Sequence, residues 1–254
     1  MNDTTESNTQ RRLGGVSRLY GEDGYNLLQS AHVVVIGLGG VGSWAAEALV
    51  RSAVGEITLI DFDHISLSNT NRQLHALEGE FGKSKVEAMR QRLLAINPEV
   101  VIHVIDDFLK PENIATYIPL QSYVLDATDD LKTKVSLAVW CKYQQVSLVM
   151  AGAAGGKSDP TAIQIADLAQ STQDPLLSKI RALLRQKYGF EKNLKKKMKV
   201  TVVYSSEPRK GIATGGLACN GYGSGVTVTA SFGMVCASSL ISKIIEAKKS
   251  KKTV

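Results

Sequence analysis

A glycine-rich turn between a strand-like and a helix-like segment is the first feature of this sequence that could do chemistry. Residues 32–36 are apolar and mostly β-branched, and residues 43–50 have helix composition. The turn between them contains four glycines, Gly37, Gly39, Gly40 and Gly42. Glycines at this spacing allow a tight turn and let the N–H groups at the start of a helix face a phosphate. The pattern predicts a nucleotide site, with a tight turn that binds nothing as the alternative.

Two carboxylates follow the next predicted strand. Residues 56–60 form a second apolar run that ends at Asp61, and Asp63 comes two residues later. Asp61 stands about 20 residues beyond the turn, where dinucleotide-binding folds carry the acid that binds the ribose. At this point NAD and ATP fit equally well.

The polar loop after this strand distinguishes the two nucleotides. It contains Asn69, Arg72 and Gln73, and Lys85 opens a predicted helix over residues 85–96. Hydride transfer has no evident need for fixed positive charge beside the pyrophosphate, whereas a triphosphate has such a need. Arg72 can fork onto phosphate oxygens, Lys85 can supply a point charge, and the two amides can orient what lies between them. The loop therefore favours ATP.

These strings, in this order, resemble the adenylation signature of the ubiquitin-activating-enzyme-like (HesA/MoeB/ThiF) superfamily. The matching positions are residues 37–42, Asp61 with Asp63, residues 68–73, Lys85 and residues 126–129. The resemblance implies an α/β fold with a Rossmann-like, mostly parallel sheet flanked by helices, and a C-terminal extension that closes the ATP site. It also implies an enzyme that activates a carboxylate with ATP, with Arg72, Lys85 and Asp129 as its catalytic residues.

Asp129 aligns with the acid that this superfamily places near magnesium and the α-phosphate. Mg²⁺ takes carboxylate and phosphate oxygens, so one carboxylate beside a triphosphate is a sufficient protein ligand. The alternative is that Asp129 or Asp130 only caps the predicted helix over residues 131–144. Asp106 and Asp107, which follow a third predicted strand at residues 100–105, are interpreted as carboxylates of the adenine crevice or as structural caps.

The N-terminal region contributes two candidate arginines. In this superfamily an N-terminal arginine crosses a homodimer to the partner's ATP phosphates, and the resemblance implies the same arrangement here. Arg12 has the better spacing to the first strand and Arg18 lies in the more distinctive string, so both stay open, as does a pair of solvated charges. Residues 1–10 are polar and are expected to form a disordered lead before a single domain over residues 11–254.

Four further strings narrow the resemblance to a tRNA-modifying branch of the superfamily. They are residues 12–21, 151–157, 173–176 and 220–225. This branch implies that the enzyme adenylates the threonylcarbamoyl carboxylate of a tRNA adenosine next to the anticodon, and that the group then cyclises and releases AMP. It also raises sulfur-acceptor or cysteine-desulfurase partners. The glycine-rich turn at residues 152–156 could shape the acyl pocket or bind a monovalent cation through its carbonyls.

A basic run over residues 179–210 is the expected tRNA-binding region. Three aromatic side chains, Tyr188, Phe190 and Tyr204, are interleaved with its charges. The candidate phosphate contacts are Lys187, Lys192, Lys195, Lys196, Lys197 and Arg209. Contacts of this kind weaken steeply with salt. The alternative is an ordinary solvated face.

The composition is consistent with an anionic partner in a reducing compartment. The 254-residue chain has a net charge of +6, and its three cysteines are widely separated, which argues against a disulfide framework or a structural zinc site. We therefore expect a cytoplasmic protein.

Cys219, in a glycine-rich loop, is either an acyl-accepting nucleophile or an incidental thiol. Residues 226–245 are long and apolar enough to span a membrane, but their repeated Ser and Thr residues favour a buried helix. Peripheral or integral membrane attachment through this segment is the alternative.

Two other functions remain open at this point. One is an enzyme that adenylates the C-terminus of a small ubiquitin-like or sulfur-carrier protein, against which the basic run and the lack of paired cysteines argue. The other is a non-catalytic nucleotide-binding module or an NAD-dependent enzyme, against which Arg72 and Lys85 argue.

Overall fold

The computed structural model describes residues 8–210 and 222–251, with side chains described as far as residue 247. Its centre is a seven-stranded sheet in the order β3-β2-β1-β4-β5-β7-β6. The strands are β1 His32–Ile36, β2 Glu56–Ile60, β3 Val101–Ile105, β4 Tyr123–Asp126, β5 Ser147–Ala151, β6 Ile163–Asp167 and β7 Thr201–Ser205. All neighbouring strands are parallel except β6, which pairs antiparallel with β7 at the edge.

Helices cover both faces of this sheet. They are α1 Asn8–Gln29, α2 Gly42–Arg51, α3 Lys85–Ile96, α4 Ile114–Tyr117, α5 Leu131–Gln144, α6 Pro175–Lys187 and α7 Val226–Lys251. One apolar cluster joins Val33 and Val35 of β1 to α2, α3 and α7, and a second joins Val34 and Ile36 to α5 and α6. Because residues 33–36 of β1 are buried on both faces, they form an uninterrupted apolar run. The expected Rossmann-like α/β fold is confirmed.

The topology determines where a ligand can bind. β1 lies between β2 and β4, so the chain leaves β1 towards one side of the sheet and later returns to the other side. The loops that follow β1 and β4 therefore diverge at this point. In open parallel sheets a crevice opens there, at the carboxyl ends of the strands.

The N-terminal helix begins earlier than the sequence indicated. Residues 8–10 form its first turn, so the part of the expected disordered lead that is described is helical. Residues 1–7 lie outside the described chain. Gly21 has φ 74° and ψ 166°, which interrupts the helix. Leu13 before this kink and Leu28 after it are both buried.

Strand β7 was not predicted, because it lies inside the basic run. Its residues alternate towards the two apolar clusters, and four of its five residues are buried. Phe190 and Tyr204, which stand among the basic residues in the sequence, are 2% and 4% exposed. They are core residues and are not available to contact a nucleic acid.

Helix α7 is the one helix in the described chain that is long and apolar enough to cross a membrane. More than half of that stretch is buried, with Phe232, Cys236 and Leu240 completely inside the apolar cluster beside α2. The buried-helix interpretation therefore agrees with the packing.

Candidate active site

An open cleft of roughly 870 Å³ lies at the carboxyl ends of β1, β2, β4 and β5. It brings together most of the residues that the sequence analysis selected, namely Gly37, Gly39, Gly40, Asp61, Asp63, Asn69, Arg72, Gln73, Lys85 and Asp129. Gly42 lies behind the turn and does not line the cleft. Residues 222–224 and Thr229 form part of the wall, so the C-terminal segment contributes to the site as expected.

The glycine turn brings backbone close to backbone. Gly37 has φ 84°, and a Cβ atom there would come within 3.0 Å of the backbone of Ala127 and Thr128. A Cβ atom on Gly42 would lie 1.8 Å from the carbonyl oxygen of Gly37, so only glycine fits. No side chain caps the amino end of α2. Gly39, Gly40 and Val41, which precede this end of the helix, line the cleft, so the positive end of the helix dipole would stabilise an anion there.

Asp61 connects the glycine turn to the end of β2. Its Oδ2 accepts a hydrogen bond from the N–H of Leu38, and its Oδ1 accepts one from the N–H of Asp63 at 2.8 Å. Burial raises the pKa of this carboxyl group above its usual value, and the positive charge of Lys85 opposes that shift. Asp61 therefore shapes the turn as well as facing the cleft.

Lys85 is a buried cation held by two carboxylates. It is 4% exposed. Its Nζ lies 2.8 Å from Oδ2 of Asp63 and 3.9 Å from Oδ1 of Asp61. The charge that the sequence analysis assigned to phosphate is thus positioned by these acids at the cleft wall.

Arg72 lies across the glycine turn. Its Nη1 donates to the carbonyl of Ser68 at 2.8 Å and to Oδ1 of Asn71 at 3.0 Å. Its own carbonyl accepts from the indole of Trp44, and its side-chain stem contacts Gly40 closely. Among the described residues it forms no ion pair with a carboxylate. The guanidinium charge is therefore available to an anionic ligand.

The two amides of the loop play different parts. Asn69 is buried, and its Oδ1 accepts from the N–H of Ser66, which closes the short 3₁₀ turn that precedes Arg72. Gln73 is 7% exposed, and its Oε1 has no hydrogen-bond partner within the described chain. Asn69 thus supports the loop, and Gln73 keeps an acceptor free.

Asp129 and Asp130, which follow β4, were both candidates for metal binding and for capping α5, and the structure gives them different environments. Asp130 caps α5, because its Oδ2 accepts from the N–H of Thr133 at 2.7 Å. Asp129 is exposed and lines the cleft, and it forms no hydrogen bond or ion pair with other described residues. Its carboxylate is free to bind a cation.

An ion pair that the sequence did not reveal lies beneath this region. Lys134 of α5 and Asp126 at the end of β4 are both completely buried, with Nζ 3.2 Å from Oδ1. Lys134 also donates to the carbonyl of Ala151 at 2.8 Å, which joins the ends of β4 and β5. A lysine in a helix with ordinary charge content gives no signal of such burial.

Two phenylalanines were also missed. Phe62 follows Asp61 and Phe108 follows Asp107, and their ring centroids lie 4.5 Å apart at the rim of the cleft. They are 46% and 53% exposed. Asp107 is oriented by the hydroxyl of Tyr117 at 2.6 Å, which lowers the pKa of its carboxyl group. The only available signal was that each phenylalanine follows an acid at the end of a neighbouring strand.

The second glycine-rich turn, at residues 152–156, forms the opposite wall. Lys157 is buried and donates to the carbonyls of Gln173 and Glu207. The carboxylate of Glu207 in turn accepts from Lys210 and from Ser158, which lowers its pKa to about 2. These contacts fix the turn beside the cleft.

The basic run is divided between two ends of the molecule. Its lysines lie at the carboxyl end of α6 and in the loop before β7, on the edge of the sheet opposite the cleft, and they are exposed: Lys187, Lys192, Lys195, Lys196 and Lys197. Arg209 lies beyond β7 at the cleft edge, with its guanidinium 4.5 Å from the ring centroid of Tyr222. The six candidates therefore do not form one patch.

The remaining candidates lie away from the cleft. Arg12 and Arg18 are on α1, where Arg12 donates to the carbonyl of Ile96 at 3.2 Å. Cys141 and Cys236 are buried, and burial raises the pKa of each thiol to about 12, so neither is a reactive thiolate. Cys219 lies outside the described residues.

Comparison with known proteins gives consistent matches. A sequence model of the ThiF family matches residues 10–253. The tRNA threonylcarbamoyladenosine dehydratase of Haemophilus influenzae is 45% identical over 250 residues, which cover 95% of this chain and 96% of that protein. The fold matches two crystal structures of the E. coli tRNA N6-threonylcarbamoyladenosine dehydratase, each with a TM-score of 0.89. The chain in the complex with ATP is 43% identical in sequence, and the match covers 98% of this chain and 99% of that one. The chain in the complex with AMP is 44% identical, and the match covers 96% of this chain and 98% of that one.

Proposed function

The chain belongs to the ThiF family, and on that premise we propose that it is an ATP-dependent tRNA threonylcarbamoyladenosine dehydratase. Its substrate is the carboxylate of the threonylcarbamoyl group on a tRNA adenosine next to the anticodon. The Haemophilus influenzae and E. coli relatives that carry this activity in their names match nearly the whole chain rather than its nucleotide-binding half alone.

One observation carries the proposal. A guanidinium without a carboxylate partner among the described residues, that of Arg72, lies over the glycine turn at the uncapped amino end of α2. Two independent sources of positive potential therefore point at the same place, which suits the phosphates of ATP.

The residues of the cleft take separate roles in the reaction. Asp61 binds the ribose with the lone pairs that Leu38 and Asp63 leave free, and Gln73 orients the phosphates. The substrate carboxylate attacks the α-phosphorus of ATP, and pyrophosphate leaves. Arg72 and Lys85 stabilise the negative charge that develops on the phosphate oxygens in this step. These side chains are already positioned in the fold, so little reorganisation is needed.

The second step needs no nucleophile from the enzyme. The carbamoyl side of the substrate attacks its own activated carbonyl carbon, the ring closes, and AMP leaves with the former carboxylate oxygen. The net change in the nucleoside is the loss of water. The burial of Cys141 and Cys236 agrees with this route.

Asp129 is the proposed magnesium ligand. Its exposed carboxylate lines the cleft and has no competing partner in the described chain. Mg²⁺ usually keeps several waters and needs only one or two carboxylates beside substrate phosphates. The ion would supply further charge neutralisation at the α-phosphate.

The proposal also includes a homodimer. Arg12 or Arg18 reaches the partner's ATP in this dimer, which light scattering and mixed-variant complementation would test.

The turn at residues 152–156 offers carbonyls to a monovalent cation, which turnover in K⁺, Na⁺ and Li⁺ would test. A cytoplasmic location and a sulfur-acceptor or cysteine-desulfurase partner belong to the same proposal.

The deciding experiment measures AMP release from ATP with magnesium in three parallel reactions. They contain total tRNA, the same tRNA stripped of its threonylcarbamoyl group, and a small carrier protein. We expect AMP and pyrophosphate only with intact tRNA. Turnover with the carrier protein alone would reject the proposed substrate while leaving the adenylation chemistry in place.

A pair of arginine variants assigns the chemistry to the cleft. Arg72→Ala should lose a charge-assisted hydrogen bond of about 1.5 to 3 kcal/mol, or roughly 10-fold to 150-fold in kcat/KM. Arg90→Ala is the matched control, because Arg90 pairs with Glu87 on the surface of α3. Equal activity of the two variants would contradict the role of Arg72.

The tRNA surface can be tested by salt dependence. The exposed lysines Lys195 and Lys196 should each neutralise one phosphate. Replacing both with alanine should then reduce the slope of log K against log salt by about 0.7 to 0.9 for each lysine. Arg90→Ala again serves as the control. An unchanged slope would identify this part of the basic run as a solvated face.

A further inference from the structure

A cluster of two histidines and a glutamate lies on the edge of the sheet opposite the cleft. His32 begins β1, Glu56 begins β2, and His103 is the third residue of β3. The register pairs His32 with Glu56 and Thr58 with His103. Because side chains alternate along each strand, all four of these residues project from the same face. Asp61 lies five positions after Glu56 along β2, which places the cluster on the order of 15 Å from the nucleotide cleft.

The ligand-type atoms of this cluster converge on one point. Oε1 of Glu56 lies 2.8 Å from Nε2 of His103 and 3.4 Å from Nδ1 of His32. One such atom from each of the three residues lies within 4.8 Å of the others. A tetrahedral ion with metal–ligand distances of about 2.1 Å separates its ligand atoms by about 3.4 Å. The distance from His32 to Glu56 already has this value, and a small rotation of the half-exposed His103 ring would bring its nitrogen from 2.8 Å to the same separation.

A neighbouring hydroxyl lies within hydrogen-bonding distance of one ring nitrogen of His32. Nε2 of His32 lies 2.7 Å from Oγ1 of Thr58, which is buried. When that nitrogen donates its proton to the threonine, Nδ1 carries a lone pair directed at Glu56. In that tautomer the lone pair and the carboxylate oxygen, 3.4 Å apart, repel each other, and a cation between them would remove the repulsion. Protein metal sites fix the tautomer of a liganding histidine through such an outer hydrogen bond.

We propose that His32, Glu56 and His103 form a binding site for a divalent transition-metal ion of the Zn²⁺ class, with water as the fourth ligand. Two imidazoles and one carboxylate are a donor set for Zn²⁺, Co²⁺, Ni²⁺ or Cu²⁺ rather than for Mg²⁺ or Ca²⁺, which prefer oxygen alone. The site is separate from the cleft and independent of the proposed dehydratase reaction.

The test is a titration of the full-length, chelator-stripped protein with ZnCl₂, in competition with a chromophoric chelator. We expect one tight site per chain. His103→Ala and Glu56→Gln should each weaken it at least about 10-fold, and Thr58→Val should weaken it by about 10-fold to 100-fold by releasing the His32 ring. His64→Ala is the matched control, because His64 is exposed and lies outside the cluster.

Two further readouts distinguish this site from binding elsewhere. Zinc should raise the melting temperature of the unmodified protein but not that of His103→Ala. The Co²⁺ form should show ligand-field bands without a thiolate charge-transfer band. Equal zinc affinity of the unmodified protein and His103→Ala would overturn the proposal. A thiolate band that disappears in Cys219→Ser would also overturn it, since the metal would then be bound by that cysteine.

Discussion

Nζ of Lys85 lies 2.8 Å from Oδ2 of Asp63 at a position where the lysine is 4% exposed. The pair, with Asp61 at 3.9 Å, forms a compact charged group at the wall of the cleft. Its net charge is negative if both acids are ionised, and burial raises the pKa of Asp61. Lys85 is therefore the charge that keeps this wall compatible with a polyanion.

Replacing this lysine should damage nucleotide chemistry more than folding. In Lys85→Met the two carboxylates would face the phosphates without a cation between them. We expect kcat/KM for AMP formation to fall by about 10²-fold to 10³-fold, the usual loss for a preorganised charge-stabilising donor. The measurement is AMP release with modified tRNA. Lys83→Met is the control, because Lys83 is exposed and pairs with Glu80, and neither residue lines the cleft. Equal losses in both variants would refute the prediction.

The aromatic pair at the rim predicts a contribution to adenine binding. Phe62 and Phe108 are tilted by 31° with centroids 4.5 Å apart, and both are about half exposed within the cleft. Stacking of a base on such a ring contributes roughly 1 kcal/mol. Phe108→Ala should therefore weaken ATP binding about fivefold, as measured by calorimetry.

The control for this variant is a phenylalanine-sized aromatic that lies elsewhere. Tyr143 is 68% exposed on α5, outside the cleft. Tyr143→Ala should leave ATP affinity unchanged, and Phe108→Trp should retain it. If Phe108→Ala bound ATP as tightly as the unmodified protein, the adenine would have to lie elsewhere.

Much of the nucleotide side of this fold could be predicted because its signals are local. The bounds of β1 and β2 agree with the expected runs, since strands buried on both faces are continuously apolar. The helix predicted at residues 85–96 matches α3. Glycines and charged residues at fixed spacings also identified the loop that carries Arg72.

What the sequence could not indicate depends on contacts between distant segments. The packing of Phe62 on Phe108 requires that β2 and β3 be neighbours in register. The same pairing creates the cluster around Glu56. Strand β7 was not predicted because several exposed lysines directly precede it. Their charge made the short β-branched run look like part of a solvated surface. Lys134 gave no signal, because its partner Asp126 is on another element.

The buried pair of Lys134 and Asp126 predicts a large change in stability. Lys134→Met should lower the free energy of unfolding by about 3 to 5 kcal/mol, because Asp126 would be left as a buried charge without a cation. Asp126 must stay an acceptor for Thr128, whose N–H and hydroxyl bind its Oδ1 at 3.0 and 2.8 Å. The double variant Lys134→Met with Asp126→Asn removes both charges and should regain at least half of the loss.

Urea unfolding of the two variants measures this effect. Lys132→Met provides the control, since Lys132 lies two positions earlier on the same helix and is exposed. Its free energy of unfolding should change by less than about 0.5 kcal/mol. A Lys134→Met protein as stable as this control would mean that the ion pair contributes nothing to the fold.

His75 predicts how stability depends on pH. It is 2% exposed, and neither ring nitrogen has a hydrogen-bond partner in the described chain. Burial, and then the charges of Lys85 and Arg92, lower its pKa from 6.5 to about 4. The unfolded chain thus binds a proton near its ordinary pKa, whereas the folded chain does so only near pH 4. The contribution of His75 is fully present above pH 6.5 and is lost as the pH falls towards 4.

The size of this effect is about 2 kcal/mol between pH 7 and pH 5, at 1.36 kcal/mol for each pKa unit. It can be measured as the free energy of urea unfolding at both values. In His75→Leu, which offers the apolar site a side chain that cannot titrate, the decrease should be smaller by this amount. His64→Ala should keep the full decrease, because His64 is exposed. If His75→Leu and the unmodified protein lost stability in parallel, the buried histidine would not be the titrating group, and the acid sensitivity would have to come from carboxylates such as those around Lys85.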